Sequence, residues 1–209
     1  MEDTILFATG NEKKMVEIRA ILAGFNREIL SMKEAGIDIE IVEDGDSFEE
    51  NALIKAREIH KRTGALVLGD DSGLEVDYLN KEPGIYSARF LGEDTPYSVK
   101  NQAIIDRLEG VKGAARSARF RCVIAAVFPD GTEAVEEGTI EGVIAYTPSG
   151  NGGFGYDPIF YLPERGMTTA DLTPEEKNAI SHRGQALEKM KQVIRDYYER
   201  ISLKQKGSG

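Results

Sequence analysis

The 209-residue sequence predicts an α/β fold, a mixed β-sheet flanked by helices and pinched into two lobes. Three observations carry that prediction. Strand-like and helical segments alternate through the first part of the chain, extended runs of antiparallel type dominate residues 116–146, and a long amphipathic helix follows near the end. Strands interleaved with helices bury their apolar faces by laying helices over a sheet. With 41% hydrophobic and 30% charged residues, the chain can build one substantial core or two modest ones. No repeat or long linker divides it, so residues 1–201 read as a single domain and 202–209 as a flexible tail.

The elements follow in order. Thr4-Ile5-Leu6-Phe7-Ala8-Thr9 is a short apolar strand, and Gly10-Asn11 turns it into a helix with Met15, Ile18, Leu22 and Phe25 on one face. A second helix covers about 48–62. Ser47 and Glu50 have capping-box spacing at its start, and Gly64 suits its end. The run Ala65-Leu66-Val67-Leu68-Gly69 then reads as a buried strand that stops at Asp70-Asp71. A third helix is expected over 96–109, with Thr95 as its cap and Pro96 in its first turn. From Arg119 to Phe128 the pattern is extended. Asp130-Gly131 marks a hairpin, and two more strand-like runs follow. Thr173-Pro174-Glu175-Glu176 opens another helix. Leu187, Met190, Ile194, Tyr197 and Ile201 line one face of the last.

Composition excludes several classes of function. A net charge of −10 argues against a general grip on nucleic acid, while leaving room for a small phosphorylated ligand met by local Lys, Arg or metal. One cysteine, Cys122, excludes a disulfide framework, and two histidines exclude a His-rich metal site. No apolar run approaches the roughly 20 residues of a membrane helix. Met1-Glu2-Asp3 also lacks the basic and apolar regions of a leader, so a cytoplasmic protein is expected.

Five segments carry chemistry. In ATGNEKK, residues 8–14, a strand feeds a glycine turn and a helix start. This arrangement serves an anion or an ordinary cap, and it is not a Walker loop. EDGDSFEEN, 43–51, is dense in carboxylates. Glu49 and Glu50 complement the helix dipole, whereas Glu43 lies outside the helix and is freer to hold a cation such as Mg²⁺. In DDSG, 70–73, two carboxylates at a strand end can hold a metal and activate water, or can form an Asx-turn. SGNGGFGYDPIF, 149–160, satisfies a dinucleotide glycine spacing, yet Tyr156 to Phe160 reads as extended where a helix should follow. Phe154 and Tyr156 on such a loop suit a flat base, or a core. EEKNAISHRGQAL, 175–187, gathers Lys177, His182 and Arg183 around a helix break that Ser181 can cap.

Together with FEENALIKA at 48–56 and PGIYSAR at 83–89, these segments resemble the Ham1-like inosine triphosphate pyrophosphatase family from Thr9 to about Ala186. The resemblance implies hydrolysis of ITP, dITP and XTP to monophosphate and pyrophosphate, a house-cleaning activity that keeps them out of DNA and RNA. It also implies Mg²⁺, a homodimer, and an elongated sheet with a nucleotide cleft between two lobes. Carried onto this sequence, Thr9, Gly10, Asn11 and Lys14 would line the triphosphate, with Glu12 and Lys13 in the same stretch. Glu43 and Asp71 would hold Mg²⁺ with support from Asp70, Asp71 would be the general base, and Ser72 would contact substrate. Phe154 would stack on the base, with Gly155 and Tyr156 beside it. Asp157, Lys177, His182 and Arg183 would read the base and its surroundings. The competing functions are a pyrophosphatase for modified pyrimidine nucleotides and a non-catalytic nucleotide sensor. A dinucleotide oxidoreductase rests on glycine spacing alone.

Overall fold

The computed structural model describes residues 4–207, so the reading of Met1-Glu2-Asp3 and the end of the expected tail, Ser208-Gly209, lie outside it. β1 (Thr4–Phe7) leads through α1 (Glu12–Ile21) to β2 (Glu28–Ser31), which pairs parallel to β1. An irregular stretch, 37–47, precedes α2 (Phe48–Thr63), after which β3 (Leu66–Val76) enters on the other side of β1, again parallel. Next come α3 (Tyr97–Arg107), β4 (Ser117–Val127), β5 (Glu133–Ile144), β6 (Phe160–Leu162), β7 (Met167–Thr168), α4 (Pro174–Ile180) and α5 (His182–Gly207). The strands form one seven-stranded mixed sheet in the order β2-β1-β3-β4-β5-β6-β7, antiparallel from β3 onward.

Two bodies of core share the long strands β3 and β4. In the first lobe, alternate residues Leu66, Leu68, Ile124 and Ala126 pack under Met15 and Ile18 of α1 and Leu187, Met190 and Ile194 of α5. Val67, Val123 and Ala125, on the opposite face, pack under Ala52, Ala56 and Ile59 of α2. The second lobe gathers Leu74, Val76, Ile104, Leu108, Ala118, Phe120, Ile144 and Phe160. Between Leu68 and Leu74, where one core gives way to the other, stand the two aspartates.

Capping explains most helix ends. Ser47 accepts from the Glu50 amide, Gly64 closes α2 in the left-handed region at φ 63°, and Thr173 with Glu176 forms a complete capping box. Ser181 closes α4 and accepts the Gly184 amide at 3.0 Å, capping α5 as expected.

The sequence reading is corrected at several points. The strand expected to stop at Gly69 runs on to Val76, because β4 pairs with every residue from Val67 to Val76 and no turn intervenes at the aspartates. Glu50 reaches past Ser47 to the Asp46 amide at 2.7 Å, so that capping box is only half made. Thr95 does not cap α3, since its hydroxyl turns back to the Leu91 carbonyl at 2.6 Å. The two runs expected after the Asp130-Gly131 hairpin are the single strand β5. Residues Asp157–Ile159, read as extended, form a short 3-10 turn. No break interrupts α5 before Gly207, so residues 202–207 continue the last helix instead of leaving it as a tail.

Candidate active site

Because side chains alternate along a strand, β3 sends Asp70 and Asp71 to opposite faces of the sheet. Asp71 faces α2, and Gly69 makes that approach close: a Cβ there would fall 2.1 Å from the Ala52 carbonyl oxygen. The closeness brings Lys55 of α2 to Asp71 Oδ1 at 3.3 Å, and the same ammonium reaches Glu43 Oε2 at 2.8 Å. Burial raises the Asp71 carboxyl above its ordinary value, and Lys55 pulls against that rise. Lys55 keeps its proton although burial opposes the charge, because Asp71 and Glu43 hold it. Asp71 Oδ2 is buried with no hydrogen-bond partner. An unmatched carboxylate oxygen beside a second carboxylate fits a divalent cation. Among the described residues no group of three His, Cys, Asp or Glu is placed to hold a metal ion, so Glu43 and Asp71 are the two carboxylates that could offer oxygens to one here.

Asp70 lies on the other face with both oxygens taken. Oδ1 accepts from Lys14 and from the Ser72 hydroxyl at 2.9 Å; Oδ2 accepts from Arg183 Nε at 2.9 Å and from Cys122 Sγ at 3.3 Å. Burial disfavours its charge, but Arg183 and Lys14 overcome this and hold the carboxyl well below the usual range. The structure therefore does not bring Asp70 to the expected metal pair. It is a buried anion that anchors two cations.

From Asp70 an alternating chain of charges crosses the site. Arg183 also donates to Glu17 Oε2 and, from Nη2, to Ser72 Oγ at 3.1 Å. Glu17 Oε1 accepts from Lys177 at 2.7 Å, and Lys177 reaches Asp157 Oδ2 at 2.5 Å. Asp157 in turn accepts the Phe154 amide at 2.8 Å and the Thr169 hydroxyl at 2.8 Å, fixing the glycine loop. Its carboxylate is engaged with protein groups, so Asp157 holds the loop. Phe154 stands near the two cations, with Lys177 Nζ 4.9 Å and the Arg183 guanidinium carbon 5.7 Å from its ring centre. Tyr156 is buried, edge-on to Tyr97, and its hydroxyl donates to the Ser87 carbonyl at 2.7 Å. The Gly155 carbonyl accepts from Asn101 at 3.2 Å.

His182 opens α5 and stacks on Phe120 at 4.9 Å. Burial, then the neighbouring Arg183 and Lys177, push its imidazole well below the usual value, so it is neutral at pH 7. Its Nδ1 is buried without a partner. At the start of α1, Asn11 Oδ1 accepts the Lys13 and Lys14 amides at 3.1 Å, and Thr9 Oγ1 accepts the Asn11 amide at 3.1 Å. The capping reading of this turn is realised.

These groups surround an open cavity of about 330 Å³ at the junction of the lobes. Asn11, Lys14, Glu43, Asp71, Ser72, Phe154, Gly155, Tyr156, Asp157, Lys177, His182 and Arg183 all border it. Thr9, Gly10, Glu12, Lys13 and Asp70 do not. Thr9 and Asp70 are buried, whereas Gly10, Glu12 and Lys13 face outward. The sequence reading missed Lys55, Glu17 and Arg89. Lys55 had a signal, since it interrupts the buried face Phe48, Ala52, Ile59 of α2 at helical spacing.

A model described as the Ham1 family matches residues 5–193. A Clostridium perfringens protein named dITP/XTP pyrophosphatase is 50% identical over 196 residues, covering 91% of this chain and 96% of its own. A Thermoanaerobacter sp. protein of the same name is 47% identical over 190 residues, covering 91% and 96%. The solved structure of a HAM1 protein from Coxiella burnetii aligns with a TM-score of 0.83 at 41% identity, covering 92% of this chain and 98% of that one.

Proposed function

Because the chain belongs to the Ham1 family, we propose that it hydrolyses non-standard purine nucleoside triphosphates (ITP, dITP and XTP) to the monophosphate and pyrophosphate. The observation that carries this reading is the division of one cavity into two kinds of wall. Lys55 stands between Glu43 and Asp71, with an oxygen of Asp71 unmatched, and the same cavity is bordered by Phe154 and the His182-Arg183 pair.

In the reaction, water adds to the α-phosphorus, the bond from that phosphorus to the oxygen bridging the β-phosphate breaks, and pyrophosphate leaves. Asp71 accepts the water's proton. Glu43 and Asp71 would hold Mg²⁺, which when bound neutralises charge on the phosphate oxygens. Lys14, at the mouth of the helix-start turn, pairs with phosphate, and Lys55 keeps the two carboxylates from repelling one another. For the base, Phe154 offers its ring, while Lys177 and Arg183 offer donors to the 6-oxo group of hypoxanthine or xanthine. Adenine presents an amino donor there, which would set donor against donor beside two cations already held by Glu17, Asp157 and Asp70. A mismatch of that kind supports discrimination of about 10⁴.

A cytoplasmic homodimer belongs to the same proposal. No helix among the described residues is long and apolar enough to cross a membrane, and Cys122 is a buried free thiol. Light scattering on the purified protein tests the dimer. The activity is tested by pyrophosphate release from ITP, XTP, GTP, ATP and dTTP with Mg²⁺, repeated with EDTA. The expected result is fast release from ITP and XTP, abolished by EDTA. Release of inorganic phosphate instead, or equal turnover of ATP or dTTP, would sink the proposal.

A further inference from the structure

The stretch that carries Glu43 belongs to no strand or helix, so its place beside Asp71 must be held by side chains. Three do so. Asn51 Oδ1 accepts the Gly45 amide at 2.9 Å, Glu50 Oε2 accepts the Asp46 amide at 2.7 Å, and Arg89 Nη1 donates to the Glu43 carbonyl at 3.1 Å. The first two come from α2, which the stretch runs into. The third comes from 46 residues away in sequence, on a segment packed against the second lobe. That segment is itself fixed one residue at a time. The Ser87 carbonyl accepts from the Tyr156 hydroxyl at 2.7 Å, the Ala88 carbonyl accepts from the fully buried Lys100 at 2.6 Å, and the Arg89 amide donates to Tyr86 at 2.9 Å. Arg89 is thus a rigidly rooted arm, and the atom it holds is the main-chain oxygen of the residue whose carboxylate faces Lys55.

We infer that Arg89 is a positioning residue for the cation-holding pair: reaching across from the second lobe, it fixes the backbone at Glu43 and so sets where the Glu43 carboxylate stands relative to Asp71. This rests on the reading of Glu43 and Asp71 as the Mg²⁺ ligands. Without Arg89, the Glu43 side chain, one-third exposed, keeps only its bond to Lys55, and the Glu43 carbonyl loses its hold while Gly45 and Asp46 stay tied to α2. Groups that orient ligands without touching the metal commonly change its affinity by about 10- to 100-fold.

The test uses Arg89→Met and Arg89→Lys in the full chain. Mn²⁺ alone is titrated by electron paramagnetic resonance, and the Mg²⁺ dependence of ITP hydrolysis is measured beside it. Both variants are expected to bind Mn²⁺ about tenfold more weakly and to need about tenfold more Mg²⁺ for half-maximal rate. At saturating Mg²⁺ the KM for ITP should stay within a few-fold of wild type. Unchanged Mn²⁺ binding with a raised KM for ITP would overturn the inference, since Arg89 would then grip substrate directly. Unchanged behaviour throughout would overturn it too. Should Arg89→Met not fold, Arg89→Lys keeps the charge and the outcome is read from it. A wild type that binds Mn²⁺ but releases no pyrophosphate overturns the proposed activity and leaves the Arg89 comparison standing.

Discussion

Replacing each of the paired aspartates by its isosteric amide should produce opposite phenotypes. Asp70 is fully buried, and its negative charge is stabilised by Arg183 and Lys14. In Asp70→Asn the amide nitrogen points a donor at groups that are themselves donors, and Arg183, 2% exposed, loses one of its two carboxylates. Removing one partner of a buried ion pair costs about 3–5 kcal/mol. Lys14 can turn toward the cavity and Arg183 keeps Glu17, which places the loss near the lower bound, about 3 kcal/mol. With a urea slope of about 2 kcal/mol/M, the midpoint should fall by about 1.5 M. Asp71 differs in sign. Burial disfavours its charge, so Asp71→Asn removes a cost, while Lys55 retains Glu43 at 2.8 Å. Its urea midpoint should lie within about 0.5 M of wild type. Its turnover should nevertheless fall by about 10²–10⁴, the usual worth of a general base. Urea curves followed by circular dichroism, with pyrophosphate release from ITP at saturating substrate, read both quantities. The reasoning is refuted if Asp70→Asn keeps the wild-type midpoint, or if Asp71→Asn turns over within tenfold of wild type.

Two further outcomes follow from packing and titration. His182 has a depressed folded pKa, so its contribution to stability is whole above its unfolded value of about 6.5 and is lost as pH falls below it, by up to about 1.4 kcal/mol per unit. His182→Phe, measured by urea midpoints at pH 7.5 and 5.5, should lose at least about 1 kcal/mol less than wild type between them; parallel losses would contradict the buried neutral imidazole. Gly69→Ala should destabilise by about 3 kcal/mol or more, because its methyl would meet the Ala52 carbonyl at 2.1 Å and push away the helix that carries Lys55. Gly10→Ala, with nothing within 4 Å, is the control and should leave the thermal midpoint in place.

What the sequence made legible was local. Ser47, Gly64, Thr173 and Ser181 act within a few residues, and their roles could be read from spacing. The continuation of β3 past the aspartates could not, because its cause is β4, some fifty residues on, which supplies backbone partners all the way to Val76. That single long-range fact also decides the fate of the carboxylates. A strand that continues must put neighbours on opposite faces, and so separates Asp70 from Asp71 and from the expected metal pair. Lys55 was hidden in a stretch that drew attention for its acids, although a lysine on an otherwise buried helix face is a legible anomaly. Glu17 and Arg89 act on residues 46 to 166 positions distant, and no spacing rule reaches so far. Asp157 was read as a base-facing group. Its fully engaged carboxylate follows from the fold of the glycine loop, which local composition does not specify.

The alternating row Asp157, Lys177, Glu17, Arg183, Asp70, Lys14 carries three charges of each sign and lies almost wholly beneath the surface. Ions in the medium screen charges that water reaches, with a reach of about 10 Å at 0.1 M. The surface ladder around Arg121 and Glu137, about a third to a half exposed, should weaken as salt is added. The row, whose side chains are at most 17% exposed, meets water far less and should hold its shape. Heating acts in the same direction, since the hydration that competes for charged groups becomes less favourable as temperature rises. The protein should therefore keep the internal register of its cleft under brine and warmth that already loosen its outer face.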